Sequence, residues 1–250
     1  MFKQRSFEIK QIADKPILNL YLYGEIQADY TDWWSGEIVK STTSADYVRK
    51  AVEEAGNVAE INVYINSIGG SVAEGNAIYN ILKRQSVPVT VYVDAFAYSV
   101  ASVIAMAGDK VIMPSNTTMM IHNARMGAYG TAEMLRKAAD DLDTINEASC
   151  NTYLIKSNGK VSKEKLTEML NAETYLTADE ALKYGFCDEV ANPINFTNVE
   201  EIIEQAKQLN NPNCKAAAEF LKTNQKKPND DFKGNSFFDE LSKAFEKYFK

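Results

Sequence analysis

Short runs of β-branched and aliphatic residues alternate with helix-forming stretches along most of this chain, and this alternation constrains the fold more than any other feature. Residues 18–22, 61–65, 89–93, 110–113 and 117–121 each read as a strand bounded by turn formers. Helix starts stand between and after them. Ser71 with Glu74, and Thr177 with Glu180, have capping-box spacing: the hydroxyl accepts from the third helical N–H and the acid reaches back. Gly185 stands where the second of these helices should stop. Parallel strands need a crossover, usually a helix, so the pattern predicts an α/β fold with a mostly parallel sheet and helices packed around it.

A longer helix is predicted over residues 131–155, where Leu135, Ala138, Leu142, Ile145 and Ala148 recur at helical spacing. Its length suits either contact with a neighbouring subunit or an ordinary surface helix. The composition turns polar beyond residue 190. Residues 1–191 are therefore assigned to the main domain, 192–235 to short helices and a polar mobile linker, and 236–250 to an amphipathic helix. Ser236 can cap that last helix, with Phe237, Leu241, Phe245 and Phe249 on one side. It reads either as a docking element for a partner or as a helix that folds back on its own domain.

A formal net charge of −7 argues against a nucleic-acid partner, which would need a basic face. No apolar run approaches a membrane span, and Met1 to Ser6 lead into no secretory h-region, so a cytoplasmic location is expected. Cys150, Cys187 and Cys214 have no pairwise motif and read as free thiols. One histidine and no cysteine pair make a transition-metal site unlikely by composition, so no metal or cofactor is expected.

Three segments could combine into chemistry. Ser99 follows a strand and precedes the small residues Ala101, Ala105 and Ala107, which places it at a strand-to-helix junction. Its hydroxyl can project from the sheet edge there, while the N–H of Val100 faces a developing oxyanion. The same position equally suits a simple helix cap, because serine is a common one. Ser102, nearly one turn on, should be more buried. Asn66-Ser67-Ile68-Gly69-Gly70 follows another strand, and its glycines would let a reacting oxygen approach the backbone. A plain β–α turn would use them as well, and no lysine follows as in a phosphate loop. His122, the only histidine, ends the strand at 117–121; it reads as a structural residue or as a general base 23 residues after Ser99.

Taken together, the Asn66-Ser67-Ile68-Gly69-Gly70, Ala97-Tyr98-Ser99-Val100-Ala101 and Met120-Ile121-His122 segments closely resemble the Clp protease proteolytic-subunit family of serine peptidases. The resemblance covers residues 17–190. It implies a Clp/crotonase-type fold, Ser99 as nucleophile, His122 as base, and the N–H groups of Gly69 and Val100 as the oxyanion hole. Where the family usually has an aspartate, Glu173 precedes Tyr175-Leu176-Thr177-Ala178-Asp179-Glu180-Ala181, which implies Glu173 as the third member of the triad. Read from its residues alone, Glu173 also fits a solvated loop charge, and Asp179 and Asp188 are rivals.

Ile68 departs from the family's proline, and Val100-Ala101 from its Met-Gly. With Trp33-Trp34-Ser35-Gly36, Ala172-Glu173-Thr174-Tyr175 and the long tail, these departures resemble the Clp-related enzymes of phages and prophages. That resemblance implies head maturation, with scaffold or capsid protein as substrate and a ring-shaped homo-oligomer as the working form. A housekeeping subunit that works with an ATP-driven unfoldase is the alternative. Outside peptidases, the fold also suits a crotonase-like acyl-CoA enzyme or a catalytically silent scaffold protein.

Overall fold

The computed structural model describes residues 7–12 and 15–191; the predicted linker and C-terminal helix at 192–250 lie outside the described residues. The chain opens with β1 (Phe7–Ile12) and β2 (Lys15–Ile26), then a small hairpin of β3 (Tyr30–Thr31) and β4 (Ile38–Val39). Next come α1 (Ala45–Ala55), β5 (Glu60–Gly70), α2 (Val72–Lys83), β6 (Val89–Tyr98) and the short α3 (Val100–Ala105). They are followed by β7 (Lys110–Pro114), β8 (Thr118–Ile121) and the long α4 (Ala132–Ser157). The described part ends with α5 (Lys163–Asn171), β9 (Thr174–Thr177), α6 (Ala178–Tyr184) and β10 (Glu189–Ala191).

The main sheet runs β1-β2-β5-β6-β7-β10, with β8 paired to β6 and β9 paired to β8. Pairings from β2 to β10 along that path are parallel; only β1 with β2 and β8 with β9 are antiparallel. This is the mostly parallel α/β sheet that the alternation predicted. Strand β6 divides its edge between two partners. Thr90 to Tyr92 pair with β7, and Phe96 to Tyr98 pair with β8. The fork brings the end of β8 beside the end of β6.

Ile61, Val63 and Ile65 on β5, with Val89, Val91 and Val93 on β6, point to the buried face in strict alternation. Helix α3, wholly buried, packs on β5, β6 and β8 from that side. The intervening positions carry Tyr21, Tyr64 and Tyr92, half-buried rings stacked 4.9 and 5.0 Å apart across three neighbouring strands.

Strands β5 and β6 run further than their β-branched cores predict. The Asn66 to Gly70 segment, expected as a turn, stays in the sheet because β2 itself runs on to Ile26. After a register shift that leaves one extra residue on β5, Glu25 and Ile26 pair with Gly69 and Gly70. The caps show a second difference. Ser71 accepts from the Glu74 N–H as expected, but the Glu74 carboxylate serves the N–H of Ala45, the first residue of α1, at 2.7 Å. Any orphan helical N–H satisfies a carboxylate, and here the neighbouring helix offers one. The Thr177–Glu180 box is reciprocal, and Gly185 ends α6 at φ 78°.

Helix α4, expected over residues 131–155, is capped by Thr131 and runs for 26 residues from Ala132 to Ser157. Only Cys150, Tyr153 and Ser157, all in its last turns, are buried, and Leu135 is exposed. The two described cysteines, Cys150 and Cys187, are buried and free. No helix among the described residues is long and apolar enough to cross a membrane.

Candidate active site

The sheet register brings the candidate residues level with one another. Ser67 pairs with Ala97, so Gly69 and Ser99 each lie two residues further along parallel neighbours. Tyr98 pairs with Met120, which sets Ser99 and His122 at adjoining strand ends. Ile121 pairs with Thr174 across the antiparallel β8–β9 edge, so Glu173 stands opposite His122. Gly69, Ser99, His122 and Glu173 therefore meet at one end of the sheet, where strands from four parts of the chain converge.

Ser99 stands at the N-cap position of α3, but its side chain does not cap the helix. Its backbone sits at φ 55°, ψ −132°, where residues with a Cβ are seldom found. Its N–H donates to the Met120 carbonyl at 2.9 Å, and its carbonyl accepts from the Ser102 N–H at 2.9 Å. Held at both ends, the residue keeps its sharp turn and presents Oγ to the His122 ring, 2.7 Å from Nε2. Local backbone strain of this kind persists only where the surroundings enforce it.

The space around this serine depends on two glycines. A Cβ on Gly69 would lie 2.6 Å from the Ser99 Cβ and 2.7 Å from the Tyr98 carbonyl oxygen, so only glycine allows β5 this close. A Cβ on Gly75, in α2, would fall 2.1 Å from a methyl of Val100. Val100 begins α3, where helix geometry leaves its N–H without an intrahelical partner. Gly69 differs from the expectation in one respect. Its N–H donates to the buried Ser67 Oγ at 3.1 Å, so serving an oxyanion requires sharing or leaving that hydroxyl.

Half-buried His122 is held toward the neutral form. Burial is the larger cause of its lowered pKa, and the Arg125 guanidinium adds to it, while Glu173 acts in the opposite sense. For Nε2 to accept the Ser99 proton, the ring proton must sit on Nδ1. That atom is shut away from solvent and meets no hydrogen-bond partner among the described residues. The Glu173 carboxylate, implied as its partner, forms an ion pair with Arg125 instead. Guanidinium competes well for a carboxylate because it is always charged and offers several donors.

The rival acids are placed elsewhere. Asp188 accepts from the Val111 N–H at 2.7 Å and from Lys156 at 2.6 Å, which ties α4 to β7. Asp179 lies exposed in the first turn of α6. Ser102 is fully buried, as expected, but its contacts were not foreseen: its Oγ meets the Ser99 carbonyl at 2.5 Å and the Tyr153 hydroxyl at 2.6 Å. Arg125 was also missed. Its only sequence signal is a cation three residues after the sole histidine. Among the described residues, no group of three His, Cys, Asp or Glu side chains is placed to hold a metal ion.

A hydroxyl hydrogen-bonded to an imidazole, beside a close-approaching glycine and a free helical N–H, can carry out nucleophilic attack on a carbonyl. Comparisons with known proteins give the family. The family model described as Clp protease matches residues 35–193. An ATP-dependent Clp protease proteolytic subunit of Deinococcus radiodurans is 33% identical over 134 residues, covering 52% of this chain. The match spans 64% of that relative's length.

Proposed function

Because the chain belongs to the Clp protease family, we propose that it is a serine endopeptidase acting on protein substrates. The observation that carries this reading is the 2.7 Å contact between Ser99 Oγ and His122 Nε2, on a serine whose side chain caps nothing. Ser99 attacks the scissile carbonyl and His122 takes its proton. The N–H groups of Val100 and Gly69 receive the oxyanion. His122 then protonates the leaving amine, and water repeats the two steps to release the acyl group. Glu173 completes the triad once its carboxylate leaves Arg125 for Nδ1. No metal or cofactor enters these steps.

The working form in this proposal is a ring-shaped homo-oligomer in the cytoplasm, its sites sheltered inside. The exposed length of α4 is suited to subunit contact. The substrate is scaffold or capsid protein during phage head maturation, a reading that rests on the Trp33-Trp34-Ser35-Gly36 and Ala172 to Tyr175 segments. The likeness to an ATP-dependent proteolytic subunit favours a second reading, degradation together with an unfoldase.

A fluorophosphonate probe and purified capsid and scaffold proteins test the proposal. Labelling at Ser99, abolished in Ser99→Ala, with cleavage of capsid or scaffold protein by the wild type, is the expected result. Absence of labelling would return the chain to the acyl-CoA or silent-scaffold classes. Cleavage of unfolded proteins only, dependent on an added unfoldase, would favour the second reading.

A further inference from the structure

We propose that the buried hydroxyl pair Tyr153–Ser102 is a positioning device that aims the Val100 N–H at the oxyanion. The inference rests on Ser99 being the nucleophile, as proposed above. Ser102 Oγ lies 2.5 Å from the Ser99 carbonyl oxygen, 3.2 Å from the Met120 carbonyl oxygen and 2.6 Å from Tyr153 Oη. Both carbonyls can only accept, so the single Ser102 proton goes to them, and the shorter contact is the one to Ser99. The oxygen of Ser102 is then left to accept, and Tyr153 is the donor. Tyr153 is buried to 1% exposure, and burial raises its phenol pKa, which keeps that proton in place.

The consequence follows from peptide geometry. In a planar trans peptide the C=O and the next N–H point in opposite directions. The Ser99 carbonyl is drawn inward by the Ser102 hydroxyl and the Ser102 N–H. The Val100 N–H of the same peptide must therefore point outward, to the side where Ser99 Oγ meets His122. Ser99 occupies a sparsely populated backbone region, so this peptide has no intrinsic preference holding it there. The Ser102 proton fixes its plane, and Tyr153, donating to the Ser102 oxygen from α4 more than fifty residues away in sequence, holds that hydroxyl in place.

Hydrolysis of p-nitrophenyl acetate and the rate of fluorophosphonate labelling test the device in the full-length protein. Wild type is compared with Tyr153→Phe, Ser102→Ala and the double variant. Removing one oxyanion donor lowers kcat by about 10²–10³-fold in a serine protease, so misaiming it is expected to lower kcat by roughly tenfold. KM and the acid limb of the pH profile should stay at wild-type values, because the Ser99–His122 contact is untouched. Ser102→Ala leaves the Tyr153 hydroxyl buried without its Ser102 partner and should lower Tm, whereas Tyr153→Phe leaves the Ser102 hydroxyl its two carbonyl acceptors and should lower Tm less. The double variant removes both and should regain Tm while kcat stays low. Recovery of kcat together with Tm, or single variants within twofold of wild-type kcat, would overturn the proposal. A wild type inert to both probes would overturn the nucleophile assignment, and with it this device.

Discussion

Arg125 and Glu173 are joined in an ion pair, both at least half exposed, at the level of the sheet where His122 Nδ1 meets no partner among the described residues. The carboxylate that would complete the triad thus lies opposite the histidine but is bound to a cation. Arg125→Gln removes that cation. The charge that disfavours imidazolium disappears, and Glu173, which favours it, is released. The His122 pKa should rise, and the acid limb of kcat/KM should move to higher pH. In stability the wild-type sign is that of a depressed base. Folding is favoured above the ordinary histidine pKa, and that contribution is lost as pH falls through it toward the folded value. This loss should shrink in Arg125→Gln. An unmoved acid limb would show that burial alone sets the titration.

Glu173→Gln keeps the size of the side chain and removes its charge. If Glu173 turns to Nδ1 during turnover, kcat should fall by about 10²-fold or more, by analogy with the neutralised acid of a serine-protease triad. Circular dichroism should remain that of the wild type. A wild-type rate would mean that Ser99 and His122 suffice, with Nδ1 served by water or a backbone carbonyl.

Gly75→Ala tests the packing behind Ser99. The added methyl would overlap Val100, forcing α2 and α3 apart at the residue that follows Ser99. Overpacking of this kind costs about 1–3 kcal/mol. Denaturant melts should show that loss, and labelling of Ser99 by a fluorophosphonate should slow even at temperatures where the variant is fully folded.

Lys156→Met should separate stability from chemistry. Lys156 is only 10% exposed and donates to both the Gly108 carbonyl and Asp188, which leaves the Asp188 charge short of a partner when it is removed. A loss of about 1–3 kcal/mol is expected from urea denaturation, in line with hydrogen bonds to charged groups. Ester hydrolysis per folded molecule should be unchanged, because the lysine contacts Gly108 and Asp188 and none of Gly69, Ser99, Val100, His122 and Glu173.

The strand ends explain what was legible beforehand. Ser99, His122 and Gly69 stand just beyond or at the end of short β-branched runs, and parallel strands that finish together bring such residues to one edge. The extension of β5 through Gly70 was not legible, because it depends on β2 running beside it rather than on the propensity of Asn-Ser-Ile-Gly-Gly. Nor was the Arg125–Glu173 pair, which arises from an antiparallel register between segments some fifty residues apart. Tyr153 read only as a residue of a long helix. Its hydroxyl gains meaning from the Ser102 oxygen it reaches across the core. Glu74 had the spacing of a local cap, but the Ser71 N–H goes to the Ile26 carbonyl and the carboxylate serves the helix beside it.

His122 is the only imidazole in the chain, and it touches Ser99. In a symmetric assembly of any size, its ring C–H protons would give one set of imidazole resonances. No other side chain normally changes charge between pH 5 and 8, so that signal is an isotope-free reporter of the site. Its chemical shift would register acylation of the serine and release of the glutamate from its arginine. Broadening or splitting of the line would show subunits that differ from one another at the end of the sheet where Ser99 and His122 meet.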